Sequence, residues 1–156
     1  HRTDQHGNRR TWSIFSTTNY QAWQWLFLFG EQNIKNGDDL LPNTSTIGAF
    51  DYPYQVANKG QYMANEINYT FAKPFHQLEN IKPYVSYSRF YKDESGYQDS
   101  DRLIAGLYFN YKKVGIQGEY ILSRNDPMTG SGADGLAQGD SNQWNKLFYL
   151  SIGYYF

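Results

Sequence analysis

Apolar and polar residues alternate with a period of two along most of the chain. The pattern is clearest at the end, where LFYLSIGYYF has an apolar side chain at every second position and closes on an aromatic residue. Successive side chains of a β-strand point to opposite faces of the sheet, so this alternation predicts a strand with one apolar and one polar face. The alternating apolar positions are Phe148, Leu150, Ile152, Tyr154 and Phe156.

Six further segments predict strands, which gives seven strands and no helix. In chain order they are RTWSIFST, AWQWLFLFGE, EINYTF, IKPYVSYSRFY, RLIAGLYFNY and VGIQGEYILS, followed by the last strand from about Trp144 to Phe156. The first two are less regular. In the second, Leu26 and Leu28 face away from the Trp and Phe residues around them. The predicted fold class is all-β.

The predicted connections alternate between short and long. Lys112-Lys113 is a tight turn, and the links from Lys73 to Asn80 and from Thr17 to Gln21 are short. Longer polar links run from Lys92 to Asp101, from Asn125 to Asn142 and from Asn33 to Gly60. Short turns at one end and long loops at the other are typical of a transmembrane, antiparallel, up-and-down β-barrel.

The composition agrees with a barrel wall that has one apolar and one polar face, and it excludes several other classes of protein and site. Aromatic residues make up 19% of the chain, although the mean hydropathy is −0.73. There is no cysteine, so disulfides and thiolate metal sites are excluded. The net charge of −1 comes without a basic run, which argues against a nucleic-acid partner. No apolar stretch approaches the ~18 residues of a spanning helix.

The chain end also resembles a known class of proteins. The pattern F-x-L-x-I-x-Y-x-F resembles the C-terminal signal of Gram-negative outer-membrane proteins, and IKPYVSYSRFYKDE, QGEYILSRNDP and LSIGYYF resemble the C-terminal part of a large porin. The resemblance covers residues 60–156 well and is weaker before them. It implies a bacterial outer-membrane location with a periplasmic C-terminus. It also implies that the barrel assembly machinery reads the last strand as an assembly signal, that outer-membrane lipid and lipopolysaccharide are partners, and that a homotrimer is a candidate assembly.

The strand number leaves two interpretations open. Bacterial single-chain barrels have even strand numbers, so seven strands favour the C-terminal piece of a larger barrel of about 16 strands. On this interpretation residues 1–9 are the remnant of an external loop, residues 10–156 form one barrel segment, and the N-terminal remainder of the barrel is a partner. The alternative is a complete eight-stranded barrel whose hidden strand lies in IGAFDYPYQVA, although Pro53 argues against a central strand there.

The polar face determines the predicted function. The residues expected to line the lumen are Glu66, Asn68, Lys82, Ser86, Arg102, Asn110, Gln117, Glu119 and Asn145. A large barrel with this lining is a passive diffusion channel for small hydrophilic solutes or ions. A small closed barrel would instead pair the same residues across a packed interior and would have a structural or adhesion role. A soluble lipid-binding barrel is a third class, with its apolar face inward.

Individual charges refine these expectations. Arg89 falls on the predicted lipid face and is expected at the outer rim, near headgroups or lipopolysaccharide phosphate. Arg102 and Glu119 lie on neighbouring strands, offset by roughly 13 Å at about 3.3 Å per residue, so no direct salt bridge is expected. Each of the two charges should therefore act separately on passing ions.

No enzyme, cofactor or metal site is predicted. The three histidines fall in the polar lead (His1 and His6) and in a short turn (His76), away from any serine on the barrel wall. The segment NDPMTGSGADGLAQGDS carries Asp126, Asp134 and Asp140 without the spacing of a calcium loop and is expected to be a flexible external loop. Asp38, Asp39 and Asp51 are candidates for a pore constriction, although a loop that covers the mouth is favoured.

Overall fold

The computed structural model describes residues 7–37, 42–49, 52–72 and 75–156. This part of the chain is all-β, with nine strands, one short 3-10 turn at Pro127–Thr129 and no α-helix. Within these ranges no helical segment has the length and apolar character needed to cross a bilayer. The strands are β1 (Asn8–Tyr20), β2 (Trp23–Lys35), β3 (Thr44–Ala49), β4 (Tyr52–Ala57), β5 (Lys59–Tyr69), β6 (Leu78–Lys92), β7 (Ser100–Tyr111), β8 (Val114–Arg124) and β9 (Asn145–Tyr154).

Seven of the strands form one antiparallel sheet in the order β1-β2-β5-β6-β7-β8-β9. These are the seven strands predicted from the alternation, so the all-β class and the antiparallel sheet are confirmed. The sheet is not closed, since β1 and β9 are its two edges. Each neighbour reverses direction, and β1 and β9 therefore run the same way.

The connections divide between two ends of the sheet, as predicted. At one end two-residue turns join β1 to β2 and β7 to β8, and a short link joins β5 to β6. At the other end the chain makes long excursions between β2 and β5, between β6 and β7, and between β8 and β9. We call these the short-turn end and the long-loop end.

The segment considered for a hidden strand forms a separate hairpin. β3 and β4 pair with each other and not with the seven-stranded sheet. Two strands are therefore added between β2 and β5, which preserves the alternating direction of the sheet. Pro53 opposes Gly48 in this two-stranded ribbon, where a missing backbone N–H interrupts no central ladder.

The expected boundary at the start of the first strand changes. Residues 8 and 9 were expected in a loop but belong to β1, because their backbone continues the ladder opposite Lys35 and Ile34. The candidate constriction residues Asp38, Asp39 and Asp51 lie outside the described residues, as do His1 and His6.

The register gives the sheet two chemically different faces, because paired residues of an antiparallel ladder point to the same side. One face, which we call the apolar face, carries the alternating positions of β9; Phe148 is 68% exposed and Ile152 66% exposed. Trp23, Trp25 and Tyr69 continue the apolar face on β2 and β5. The opposite face, which we call the polar face, carries most of the amide, hydroxyl and charged side chains.

The sheet has very little buried apolar interior. Among the described residues the only buried hydrophobic side chains are Ala57, Ile121 and Ala137. Ala57 ends β4 of the separate hairpin and Ala137 lies in the loop after β8, so only Ile121 belongs to the seven-stranded sheet.

Close packing of an aromatic ring on a glycine ties β6 to β7. A Cβ placed on Gly106 would overlap the ring of Tyr84, the neighbour of Gly106 across the ladder. We expect Gly106→Ala to lower the free energy of unfolding by about 1–3 kcal/mol, the usual cost of overpacking. The control is Gly118→Ala in β8, where the nearest atom to an added Cβ is Phe148 Cζ at 3.9 Å. The measurement is the urea midpoint of each variant, and equal midpoints would contradict the packing account.

Candidate functional site

The polar face holds all nine residues that the sequence predicted to share a surface. Glu66 opposes Ser86 across the β5–β6 ladder, and Gln117 opposes Tyr108 across the β7–β8 ladder. The strand period then places the remaining residues on the same side. The nine residues on this face are Glu66, Asn68, Lys82, Ser86, Arg102, Asn110, Gln117, Glu119 and Asn145.

A hydrogen-bonded group at the middle of this face orients Glu119. The Tyr84 hydroxyl donates to Glu119 Oε1. Gln117 Nε2 donates to the Tyr84 hydroxyl oxygen at 2.7 Å and to Glu119 Oε1 at 2.8 Å. All three side chains are partly buried. Because the Tyr84 ring lies on Gly106, the strands themselves fix the position of the hydroxyl group that holds Glu119.

A second group of amides extends toward β1. Asn68 Nδ2 donates to Glu66 Oε1 at 3.0 Å and to Gln24 Oε1 at 3.1 Å. Gln24 Nε2 donates in turn to Asn19 Oδ1 at 3.0 Å. Asn68 is buried although it lies on a surface strand. Glu66 therefore resembles Glu119, because one carboxylate oxygen of each accepts hydrogen bonds from neighbouring side chains of the sheet.

The two carboxylates border one depression in the polar face. Its volume is about 370 Å³, and six side chains from four strands line it. They are Glu66, Lys82, Tyr84, Tyr108, Gln117 and Glu119. Four of the nine predicted residues therefore meet around one concavity, and two tyrosines that the sequence analysis did not single out complete it.

At the long-loop end a second layer of chain covers the polar face. We call this the inner layer and define it as the β3–β4 hairpin with loop residues Ser131–Asp140. The backbone N–H groups of Gln55 and Ala57 donate to Ala133 O at 2.9 Å and to Leu136 O at 3.0 Å. The loop thus continues the hairpin, instead of extending freely from the sheet as expected for a flexible external loop.

Polar-face side chains anchor the inner layer and its flanking residues to the sheet. Arg102 Nε donates to Asp126 Oδ2 at 2.5 Å, and Lys92 Nζ donates to Gly135 O at 2.6 Å. Ser100 Oγ donates to Asn125 O at 2.7 Å. These contacts correct one expectation. Arg102 makes no salt bridge with Glu119, in agreement with the prediction. It pairs instead with Asp126, so its charge does not act on ions separately as expected.

Arg89 lies on the apolar face near the long-loop end and belongs to a cluster of charges. Its guanidinium pairs with Asp99 at 2.7 Å and with Asp101 at 3.6 Å. Arg124 Nε donates to Asp101 at 2.6 Å and stacks 5.6 Å from the Trp144 ring centroid. Partial burial acts to raise the pKa of Asp99, but hydrogen bonds from Arg89 and the Lys92 backbone outweigh burial and hold that pKa below its usual value.

The sequence alone could not reveal the aromatic–glycine contacts or the loop anchors. Tyr62 covers Gly30 and Phe90 covers Gly60 in the same way that Tyr84 covers Gly106. Each pair joins two strands, so it becomes recognisable only when the register is known. Glycines at polar-face positions beside aromatic residues were the available signal.

Metal-binding chemistry has no support in the described part of the chain, where no group of three or more His, Asp or Glu side chains could hold a metal ion. His76 is exposed in the short link between β5 and β6. Comparison with protein families, with curated proteins and with solved structures finds no match to this chain.

The anchoring of the inner layer gives a direct prediction. Asp126→Asn removes the charge that pairs with Arg102, so the loop should detach more often. We expect amide hydrogen exchange of Gln55 and Ala57 to become about tenfold faster, since hydrogen bonds to charged groups contribute roughly 1.5–3 kcal/mol. The matched control is Asp134→Asn, because Asp134 is exposed and has no ion pair in the described residues. Unchanged exchange in the Asp126 variant would show that the ion pair is not the anchor.

Proposed function

We propose that the chain is part of a transmembrane β-barrel of the Gram-negative outer membrane that acts as a passive channel for small hydrophilic solutes or ions. The observation that carries the proposal is the contrast between the two faces of one sheet. Large apolar side chains stand exposed across the apolar face, while the polar face holds a hydrogen-bonded network. An exposed apolar surface of this extent marks contact with lipid or protein.

The dimensions of the apolar face support a membrane span. β9 has ten residues, or roughly 33 Å at about 3.3 Å per residue. A tilt of ~45° reduces this to about 23 Å, near the ~25 Å apolar band of outer-membrane barrels. Trp23 and Tyr69 pack edge to face at the short-turn end, and Trp144 lies at the long-loop end. Aromatic residues at both rims are typical of barrel girdles.

The inner layer supports the assignment of the polar face as the interior. The hairpin and the loop from β8 to β9 fold over the polar face, and a barrel has room for such segments only inside. A soluble lipid-binding barrel would have the opposite arrangement, with the apolar face inward. The polar residues are therefore proposed to line the lumen.

The open edges support a larger barrel. An unpaired strand edge in lipid leaves backbone groups without partners, so β1 and β9 need neighbours. The two strands run in the same direction, and closure with antiparallel pairs throughout then requires an odd number of further strands. Nine would give a barrel of about 16 strands, a size that leaves an aqueous channel. The remainder of the barrel is the partner that this proposal requires.

A closed eight-stranded barrel with a structural or adhesion role is the alternative function. Its candidate eighth strand was the segment IGAFDYPYQVA, which contains the end of β3 and the whole of β4. Because β4 pairs with β3 outside the sheet, the described residues offer no eighth strand of the wall. This observation favours the larger barrel.

The proposal extends to location and partners. We propose that the short-turn end and the end of β9 are periplasmic and that the long-loop end faces outward. The charge cluster around Arg89 and Arg124 then lies at the outer rim, where it would meet lipid headgroups and lipopolysaccharide. The barrel assembly machinery would read the alternating residues Phe148 to Phe156, and a homotrimer remains the candidate assembly. The proposal includes no catalytic step and no cofactor.

Cysteine modification during conductance tests the channel and its two faces together. This chain contributes no native cysteine, so each substitution in it adds one new thiol to the barrel. In planar bilayers, a water-soluble thiol reagent should change the single-channel current of Ser151→Cys and leave that of Ile152→Cys unaltered. The reason is that Ser151 opposes Gln117 on the polar face, whereas Ile152 lies on the apolar face. Current without any difference between the two variants would contradict the face assignment, and an absence of current would contradict the channel.

The terminal aromatic residue should affect assembly more than stability. Phe156 lies beyond β9 and is fully exposed, so its removal loses little packing. We expect deletion of Phe156 to lower the amount of protein inserted in the outer membrane without moving its unfolding midpoint. The control is Phe71→Ala, because the Tyr69–Phe71 rings meet edge to face at 5.0 Å much as the Tyr154–Phe156 rings do at 5.3 Å. An equal insertion yield for the Phe156 deletion and for Phe71→Ala would contradict the role of Phe156 in assembly.

A further inference from the structure

The depression on the polar face is lined by charged side chains that form no ion pairs within the described residues. Lys82 makes no ion pair and no hydrogen bond within the described residues, although it lines the same concavity as two carboxylates. Glu66 and Glu119 each accept hydrogen bonds through Oε1. Their second oxygens have no partner in the described part of the chain. Lys82 and the two carboxylates thus line one depression, and no ion pair joins them.

Neighbouring side chains of the sheet orient the two carboxylates. Glu119 is oriented by Tyr84 and Gln117, and Glu66 is oriented by Asn68. The Tyr84 ring cannot shift toward the sheet, because it already lies on Gly106. A carboxylate that is held in place loses little side-chain freedom when a ligand binds, which makes even a shallow site selective.

We propose that this depression is a binding site for amino acids, and for those with a cationic side chain above others, on their way through the channel. The inference rests on the proposed function. A cationic amino acid carries two positive groups and one carboxylate, which matches the two carboxylates and the single ammonium group of the wall. The volume of about 370 Å³ lies at the small end of ligand pockets, which span ~300–1,000 Å³.

Charge complementarity favours this solute class over the others that a channel would pass. A neutral sugar would leave all three charged groups of the wall without a partner. A simple cation would be attracted by Glu66 and Glu119 but repelled by Lys82. An anionic amino acid would meet two like charges and one opposite charge. Because the site is half exposed, binding is weak and sensitive to salt.

The test uses the intact barrel that contains this chain, reconstituted in planar bilayers at about 0.1 M salt, where the Debye length is ~10 Å. Block of the ion current is measured with L-lysine and with cadaverine, the diamine left when lysine loses its carboxylate. The two blockers differ by the carboxylate that Lys82 is proposed to bind, so their comparison isolates the contribution of Lys82. We expect lysine to block at a concentration about threefold lower than cadaverine, although cadaverine carries the larger net charge.

Variants separate the site from general attraction of cations. In Lys82→Met the order should reverse, so that cadaverine blocks better than lysine. In the double variant Glu66→Gln, Glu119→Gln both blockers should require several-fold higher concentrations. The control is Glu79→Gln, which removes a carboxylate from the exposed short-turn end of β6, outside the depression, and should leave the order unchanged.

The outcomes distinguish this inference from the function on which it rests. A current that lysine blocks better than cadaverine, with reversal in Lys82→Met, supports the site. A current that cadaverine blocks at least as well as lysine in the unmodified barrel overturns it and leaves the channel intact. A barrel that inserts but conducts no current overturns the channel, and the inference with it.

Discussion

The ladder of backbone hydrogen bonds between seven antiparallel strands is the constraint on which the rest of the structure depends. Little apolar surface is buried, so the fold is not organised around a core. The register instead decides which side chains share a face, and a slip of one residue would move every side chain to the opposite side. The glycines opposite Tyr84 and Tyr62 help to fix that register, since each of these two rings lies where a side chain on its ladder partner would overlap it.

The features that the sequence predicts well are those governed by local alternation. Period two locates all seven strands of the sheet and assigns Glu66, Lys82, Gln117 and Glu119 to one face, because strand geometry converts odd and even positions directly into sides. It also predicts which end carries the short turns. These inferences need no knowledge of which strands are neighbours beyond the order of the chain.

The features that the sequence does not predict join residues distant along the chain. Lys92 reaches Gly135 and Arg102 reaches Asp126 only because the loop from β8 to β9 folds back over β6 and β7. Nothing in the loop composition specifies that return path. Glycine and aspartate are compatible with a flexible loop, and here the same residues form a fixed layer.

The two open edges have a consequence for the order of events during biogenesis. A sheet with exposed N–H and C=O groups along β1 and β9 and a bare apolar face would template pairing with any other extended chain it encountered in water. For the outer-membrane barrel proposed above, the time between synthesis and insertion would therefore be the most hazardous stage. Under that proposal, a folding route in which strands pair only as they enter the bilayer would avoid this stage, because each edge would receive its permanent neighbour before it met a competing one.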